Sequence, residues 1–457
     1  MGSDIRNTAC RFAWDYPVLN LAGNRIRNCC RAGAHSVSRT DIERLGTNLF
    51  NRFEPLVDVR LSLLRGERTD ACSSCWVLED KGMISPRTNL DGLATYIKRT
   101  NYFPGKSTKE IEELLLNLTP DQEQEIARLK SPRMLEISLG NTCDLKCVYC
   151  NYHYSSQWAA EALLHNEVDP KYLERDLPKI YSEYEDVFWE WFESYSSTRL
   201  DNINFIGGEP LIIPRYYEYM DRMIALYKDQ DLEREVSFSV VTNLNTPDKL
   251  LDKFINILDE FFTANDKLIF EISVSMESMS NRAEFIRTGT VWSTLESNLL
   301  RLLEYKKNRS LGDRLNIVLI PTINALSISD SYRFYDWVTE LATRPGYHMG
   351  LRQNQIVWPA WNSVLVLPVE FASYLDDSIT VIKDRLPAYR DKELGRDWLS
   401  YITFLEGIRT GIRSPTKDRL NQREFAKQID KLCHRRGLDF AATFPEMVDF
   451  YNMCKAL

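Results

Sequence analysis

From residue 134 onward, short apolar or alternating runs recur between longer amphipathic stretches, and this alternation restricts the chain more than any other feature. Runs at Met134 to Leu139, Ile203 to Ile206, Ser237 to Thr242, Leu268 to Ser275, Leu315 to Pro321 and Gln353 to Val357 have the length and the branched or aromatic content of strands. Between them, Lys171 to Tyr195, Tyr216 to Lys228, Pro247 to Phe262, Trp292 to Lys307 and Asp330 to Thr343 carry helical periodicity. Successive strands joined by helices are expected to pair in parallel, because a parallel connection needs a long crossover. Right-handed crossovers would curl six such units into a partial (β/α)6 barrel of the TIM type, an α/β fold.

A chain of 457 residues with 44% hydrophobic and 11% aromatic content can fill two or three cores. The segment GKSTKEIEELLLNLTPDQEQEIARLKSP, over 105–132, reads as a helical connector, and 369–457 reads as several helices, including Arg419 to Cys433. The expected division is therefore 1–104, 105–132, 133–360 and 361–457. No internal repeat or low-complexity tract is evident. A formal charge of -8 gives no general attraction to phosphate backbones, which disfavours nucleic acid, or to anionic membranes. There is no apolar run of about 18 residues, and the N-terminal MGSDIRNTACRFAWDYP lacks the apolar core of a signal peptide, so a cytoplasmic location without membrane attachment is expected.

In a reducing compartment, clustered cysteines point to metal rather than to disulfides. The segment SLGNTCDLKCVYCNYHYSS opens at the end of the first expected barrel strand and places Cys143, Cys147 and Cys150 on one short loop. Such a loop can wrap one iron-sulphur cubane. A 4Fe-4S cluster ordinarily takes four thiolates, so three leave one iron open to another ligand. Tyr149, just before the last cysteine, offers a flat group to shield the cluster or stack near an adenine. The competing readings are buried free thiols or a zinc knuckle with His153 as fourth ligand, although zinc sites more often use paired Cys-x2-Cys arms.

The Cys-x3-Cys-x2-Cys spacing after a barrel's first strand resembles the radical S-adenosylmethionine (SAM) superfamily, over about 134–360. Downstream, IGGEP follows the second strand and is similar to that superfamily's GGE motif, which implies that Gly207, Gly208 and Glu209 hold the methionine amino group. Glycines let backbone approach a ligand closely and a carboxylate accepts from an ammonium. Ser275, in SVSMES at the end of the fourth strand, and Arg287, in EFIRTG, are spaced as in family members where such a pair holds the ribose and the methionine carboxylate; the plain alternative for Arg287 is a surface cation. Thr242 and Asn243 of VVTNLN, and Asn324 after the fifth strand, sit where barrel enzymes place ligand-binding groups, a position where asparagine is also ordinary turn chemistry. The resemblance implies an enzyme that reductively cleaves SAM to a 5′-deoxyadenosyl radical, which takes hydrogen from a substrate C–H bond. It also implies an electron donor of the flavodoxin or ferredoxin type.

The first 80 residues hold a second group: Cys10, the vicinal Cys29 and Cys30, and Cys72-x2-Cys75. This set is similar to SPASM or twitch auxiliary-cluster modules, which usually follow the barrel; here it precedes it. The resemblance implies a second 4Fe-4S cluster on Cys10, Cys29, Cys72 and Cys75, with Cys30 competing for the place of Cys29. Structural zinc fits four thiolates as well. Relatives with auxiliary clusters often modify peptides or proteins, so a peptide substrate is expected, with a sugar, nucleoside or other small metabolite as the alternative and a non-catalytic iron-sulphur regulator as a third. Trp158, in SSQW, either touches the substrate or starts a helix's core face. Cys433 and Cys454 have no neighbour at ligand spacing and read as packing thiols. No HExxH, P-loop or GxGxxG pattern is present.

Overall fold

The computed structural model describes residues 4–21, 23–80, 85–87, 90–129, 132–170, 182–196, 199–228, 230–385, 394–414 and 417–457. Its nine-stranded central sheet contains, in chain order, β1 (Val18–Asn20), β2 (Arg25–Arg27), β3 (His35–Ser36), β4 (Met134–Ser138), β5 (Asn202–Ile206), β6 (Val236–Thr242), β7 (Leu268–Ser275), β8 (Leu315–Ile320) and β9 (Met349–Leu351). The spatial order is β9-β8-β7-β6-β5-β4-β1-β2-β3. From β4 to β9 every pairing is parallel, as the helical crossovers require. The N-terminal segment joins this sheet. Strand β1 runs parallel to β4, with Leu19 opposite Ile137, and β2 and β3 follow as an antiparallel meander.

Five expected strands lie where the alternation puts them, and the sixth needs correction. Met349–Leu351 pairs with β8, whereas Gln353–Val357 contributes only Asn354–Gln355, paired with Thr322–Ile323 outside the main sheet. An edge strand needs only the three pairs that β8 offers it, and three residues are too few to show an alternation. Among the crossovers, Pro214–Tyr227, Asp248–Ala264, Trp292–Asn308 and Ser331–Thr343 are helical. The helix expected over 171–195 begins outside the described residues, and its described part is α-helical over Ser182–Trp191 and ends in a π-helical turn over Phe192–Ser196.

Side chains two apart on a strand share a face. On one face Leu135, Ile137, Phe205, Phe238, Phe270 and Ile317 are buried in the main core beneath the helices. The other face is polar. In register across it stand Glu136, Asn204, Ser239 and Glu271. Tyr16 Oη and Asn204 Nδ2 donate to Glu136 Oε2 at 2.8 and 3.0 Å, and Ser239 Oγ donates to Asn204 Oδ1 at 2.9 Å. Sheet faces that pack on helices are apolar, so this row marks a face that meets something polar.

Residues before β4 have a second core of their own, built from Trp14, Val57, Leu63, Tyr96, Ile111 and Ile126. The connector supplies two helices, Thr108–Leu115 and Pro120–Ala127, each opened by a capping box, Ser107 with Glu110 and Thr119 with Gln122. The C-terminal region consists of helices Ala372–Arg385, Leu394–Ile412, Arg419–Arg436 and Val448–Ala456, with Cys454 packed in the core. Among the described residues no helix is long and apolar enough to cross a membrane.

Candidate active site

The loop after β4 brings Cys143, Cys147 and Cys150 to a cleft of about 640 Å³, lined also by Ser138, Tyr149, Gly207, Gly208, Thr242, Asn243, Ser275 and Arg287. The loop is held at Cys143 and at Cys147. Ser156 Oγ accepts from Cys143 N and donates to Cys143 O, both at 3.1 Å, while Trp158 Nε1 donates to Cys147 O at 2.8 Å. Trp158 is thus accounted for by the loop. Lys146–Cys147 forms a two-residue antiparallel ladder with Arg287–Thr288, in which Cys147 faces Arg287. Asp144 binds the loop to the end of β6: its two oxygens accept from Asn243 Nδ2 and Asn245 Nδ2, each at 2.8 Å.

The GGE turn presses on this loop. Gly207 and Gly208 have positive φ, and a Cβ on Gly208 would lie 2.1 Å from Thr142 O. Only glycine permits that approach. Both glycines line the cleft, but Glu209 does not; its side chain is 1% exposed and already engaged. Thr242 Oγ1 and Leu211 N donate to Oε1 at 2.7 and 3.1 Å, and Asn243 N donates to Oε2 at 2.6 Å. Burial raises the Glu209 carboxyl to about 7, against the lowering effect of these donors. Glu209 thus positions Thr242 and Asn243, which reach the cleft in its place.

Arg287 is buried rather than a surface cation. Its Nε donates to both oxygens of Glu277, at 3.1 and 3.0 Å, and its Nη2 to Oε2 at 2.6 Å. Tyr149 Oη donates to Glu277 Oε1 at 3.0 Å, and the guanidinium lies 5.5 Å from the Tyr149 ring centroid. Burial works against the guanidinium's charge, but Glu277 outweighs it and holds Arg287 charged. Asn324, in contrast, is fully buried and does not line the cleft: its amide accepts from Leu326 N and donates to Thr322 O, capping its own turn.

Sequence reasoning missed four participants. Glu277 lay inside the quoted SVSMES, and Asp144 between two of the quoted cysteines. Arg27, on β2, lines the cleft with its Nε buried and, among the described residues, without a hydrogen-bond partner. Arg436, at the end of helix Arg419–Arg436, donates to Lys146 O at 2.7 Å and to Glu161 at 3.0 Å, and stacks on Trp158 at 4.4 Å. It is almost wholly buried beside Glu161.

Three soft thiols with a neighbouring cleft suit an iron-sulphur cubane that keeps one iron open. Burial pushes all three thiols up, Cys143 to about 12, and each is perturbed by at least one of the others or by Arg287. A bound cluster would relieve that cost, because the thiolate is the ligating form. In the N-terminal group, Cys72 feels Cys29, Cys10 and Cys75, and Cys29 feels Cys10 and Cys75. After burial, the strongest influence on Cys30 is Glu136. Gly33 N donates to Ala71 O at 3.0 Å, tying the two cysteine loops together. Among the described residues no group of three or more His, Cys, Asp or Glu side chains is gathered closely enough to hold a metal ion as it stands.

Residues 137–335 match the family model of the Radical SAM superfamily, a match that supports an enzyme. Among solved structures, native anSMEcpe with bound AdoMet and Cp18Cys peptide is similar at 17% identity and a TM-score of 0.33, over 56% of this chain and 60% of that one. The chain thus spans less than two thirds of the length of that protein. A search of curated proteins finds no match.

Proposed function

We propose that this protein is a radical SAM enzyme of the cytoplasm that modifies a peptide or protein, with a 4Fe-4S cluster on Cys143, Cys147 and Cys150 and a second on Cys10, Cys29, Cys72 and Cys75. The observation that carries the reading is the convergence of three thiols, the Gly207–Gly208 turn and the ends of β6 and β7 on one cleft. When bound, the cluster supplies one electron to SAM, whose cleavage gives methionine and a 5′-deoxyadenosyl radical. The residues of this chain bind and orient: Gly207 and Gly208 offer backbone, Thr242, Asn243 and Ser275 offer polar groups, Tyr149 offers a ring beside the cofactor, and Arg287 offers its remaining N–H groups. Asn324 is assigned to the fold of the β8 loop.

A peptide substrate is supported by the mouth of the cleft, where Trp358 and Tyr154 stand 69% and 51% exposed. Aromatic side chains left open at a cleft rim suit a partner larger than a buried metabolite. The polar row of Glu136, Asn204 and Ser239 favours the second reading, a sugar, nucleoside or other small metabolite. The electron donor is expected to be a flavodoxin or ferredoxin. Anaerobic incubation of the iron-loaded protein with SAM and dithionite should yield 5′-deoxyadenosine. Intact clusters with none formed would overturn the reading.

A further inference from the structure

We infer that the buried Glu277–Arg287 pair, held by Tyr149, sets the reduction potential of the cluster on Cys143, Cys147 and Cys150 by presenting its cationic end to the Cys147 sulfur. This rests on the reading above and deepens it. The backbone fixes the arrangement first. In the short ladder Cys147 stands opposite Arg287, and Val148 N donates to Ile286 O at 2.8 Å beside it. Directly opposed residues of an antiparallel pair project to the same side with their Cβ atoms close.

From there Arg287 Nη1 reaches Cys147 Sγ at 3.9 Å, within range of a hydrogen bond to sulfur. The far side of the guanidinium is spent on Glu277, through Nε and Nη2. The side chains are 7% and 2% exposed, so water does little to screen them. The pair is neutral overall, but it is oriented: the guanidinium faces the sulfur and the carboxylate lies behind it. Reduction of a cluster bound by three thiolates adds one negative charge next to that cationic end and is favoured by it. Hydrogen bonds to ligand sulfurs and nearby charge are among the factors that set such potentials. Tyr149 Oη, donating to Glu277 at 3.0 Å, draws carboxylate charge away from the guanidinium.

The test is a redox titration of the iron-loaded full chain with dithionite and mediators, followed by electron paramagnetic resonance, the relevant signal being the one that SAM alters. Arg287→Gln should shift the potential down, because Glu277 is left uncompensated. Glu277→Gln should shift it up, because the cation is left uncompensated. Arg287→Lys, which keeps the charge, should fall between Arg287→Gln and the parent. A pair that only held the loop together would move both charge-removing variants the same way or neither, and either result overturns the inference while leaving the proposed function standing. A parent protein with no SAM-responsive cluster overturns both.

Discussion

Replacing Arg436 by leucine should loosen the cysteine loop from a position 286 residues past Cys150 in the chain. In the structure its guanidinium does three things at once: it pairs with Glu161, donates to the carbonyl of Lys146 at 2.7 Å, and covers the Trp158 ring at 4.4 Å. The two charged side chains are 1% and 5% exposed. Removing one partner of a buried pair costs about 3–5 kcal/mol, mostly through the charge left behind. Glu161 keeps Lys146 at 2.8 Å, which argues for the lower end, about 3 kcal/mol. At about 1.4 kcal/mol per tenfold, this loss raises the local opening equilibrium roughly 100-fold. Native-state hydrogen exchange measures such local openings directly. Exchange should accelerate in the peptide covering 145–150, which contains the Val148 N–H donor to Ile286 O, and stay unchanged over β6. In Glu161→Gln, the added effect of Arg436→Leu should fall by about 1 kcal/mol or more, since residues in contact are not additive. Unchanged exchange over 145–150, or additive effects of the two substitutions, would refute the argument.

Cys29→Ser should lower iron from about eight to about four per chain, as one 4Fe-4S cluster is lost, whereas Cys30→Ser should leave it near eight; iron and protein assays on reconstituted samples decide. Gly208→Ala should cost about 1–2 kcal/mol for its left-handed backbone alone, and more for the contact with Thr142 O, so both the melting temperature and iron loading at Cys143 to Cys150 should fall. Glu209 contributes a pH dependence of known sign. Its folded-state carboxyl is raised to about 7 against an unfolded value of 4.5, so the folded state binds the extra proton between them and stability falls as pH rises through that window. Denaturant midpoints of the metal-free protein should decline from about pH 4.5 to 7, and Glu209→Gln should flatten the decline; an unchanged slope counts against the assignment.

How far such features can be read from sequence depends on the range of the interaction that makes them. Five parallel strands were legible because each buries one face under a helix, and that burial writes an alternation over five to eight residues. Strands of two or three residues, β1 to β3 and β9, write none, so the N-terminal segment's place in the sheet was invisible and the sixth strand was set a few residues downstream of its true position. The cysteine loop and the two glycines were legible because their constraint is local: thiols that share a loop, and a turn that tolerates no Cβ. Arg287 was legible as important but not in what it does, since its partner Glu277 faces it only after the β7 loop has turned back. Arg436 was not legible at all: a basic residue in the last turn of a helix reads as favourable charge at the C-terminal end of its dipole, and Glu161 lies 275 positions away. The chemistry of this site is thus encoded in short motifs, while the residues that hold those motifs rigid are encoded in contacts that only the folded chain makes. Substitutions at Glu277, Asp144 and Arg436 should therefore disturb the cleft as surely as substitutions of the cysteines and glycines themselves.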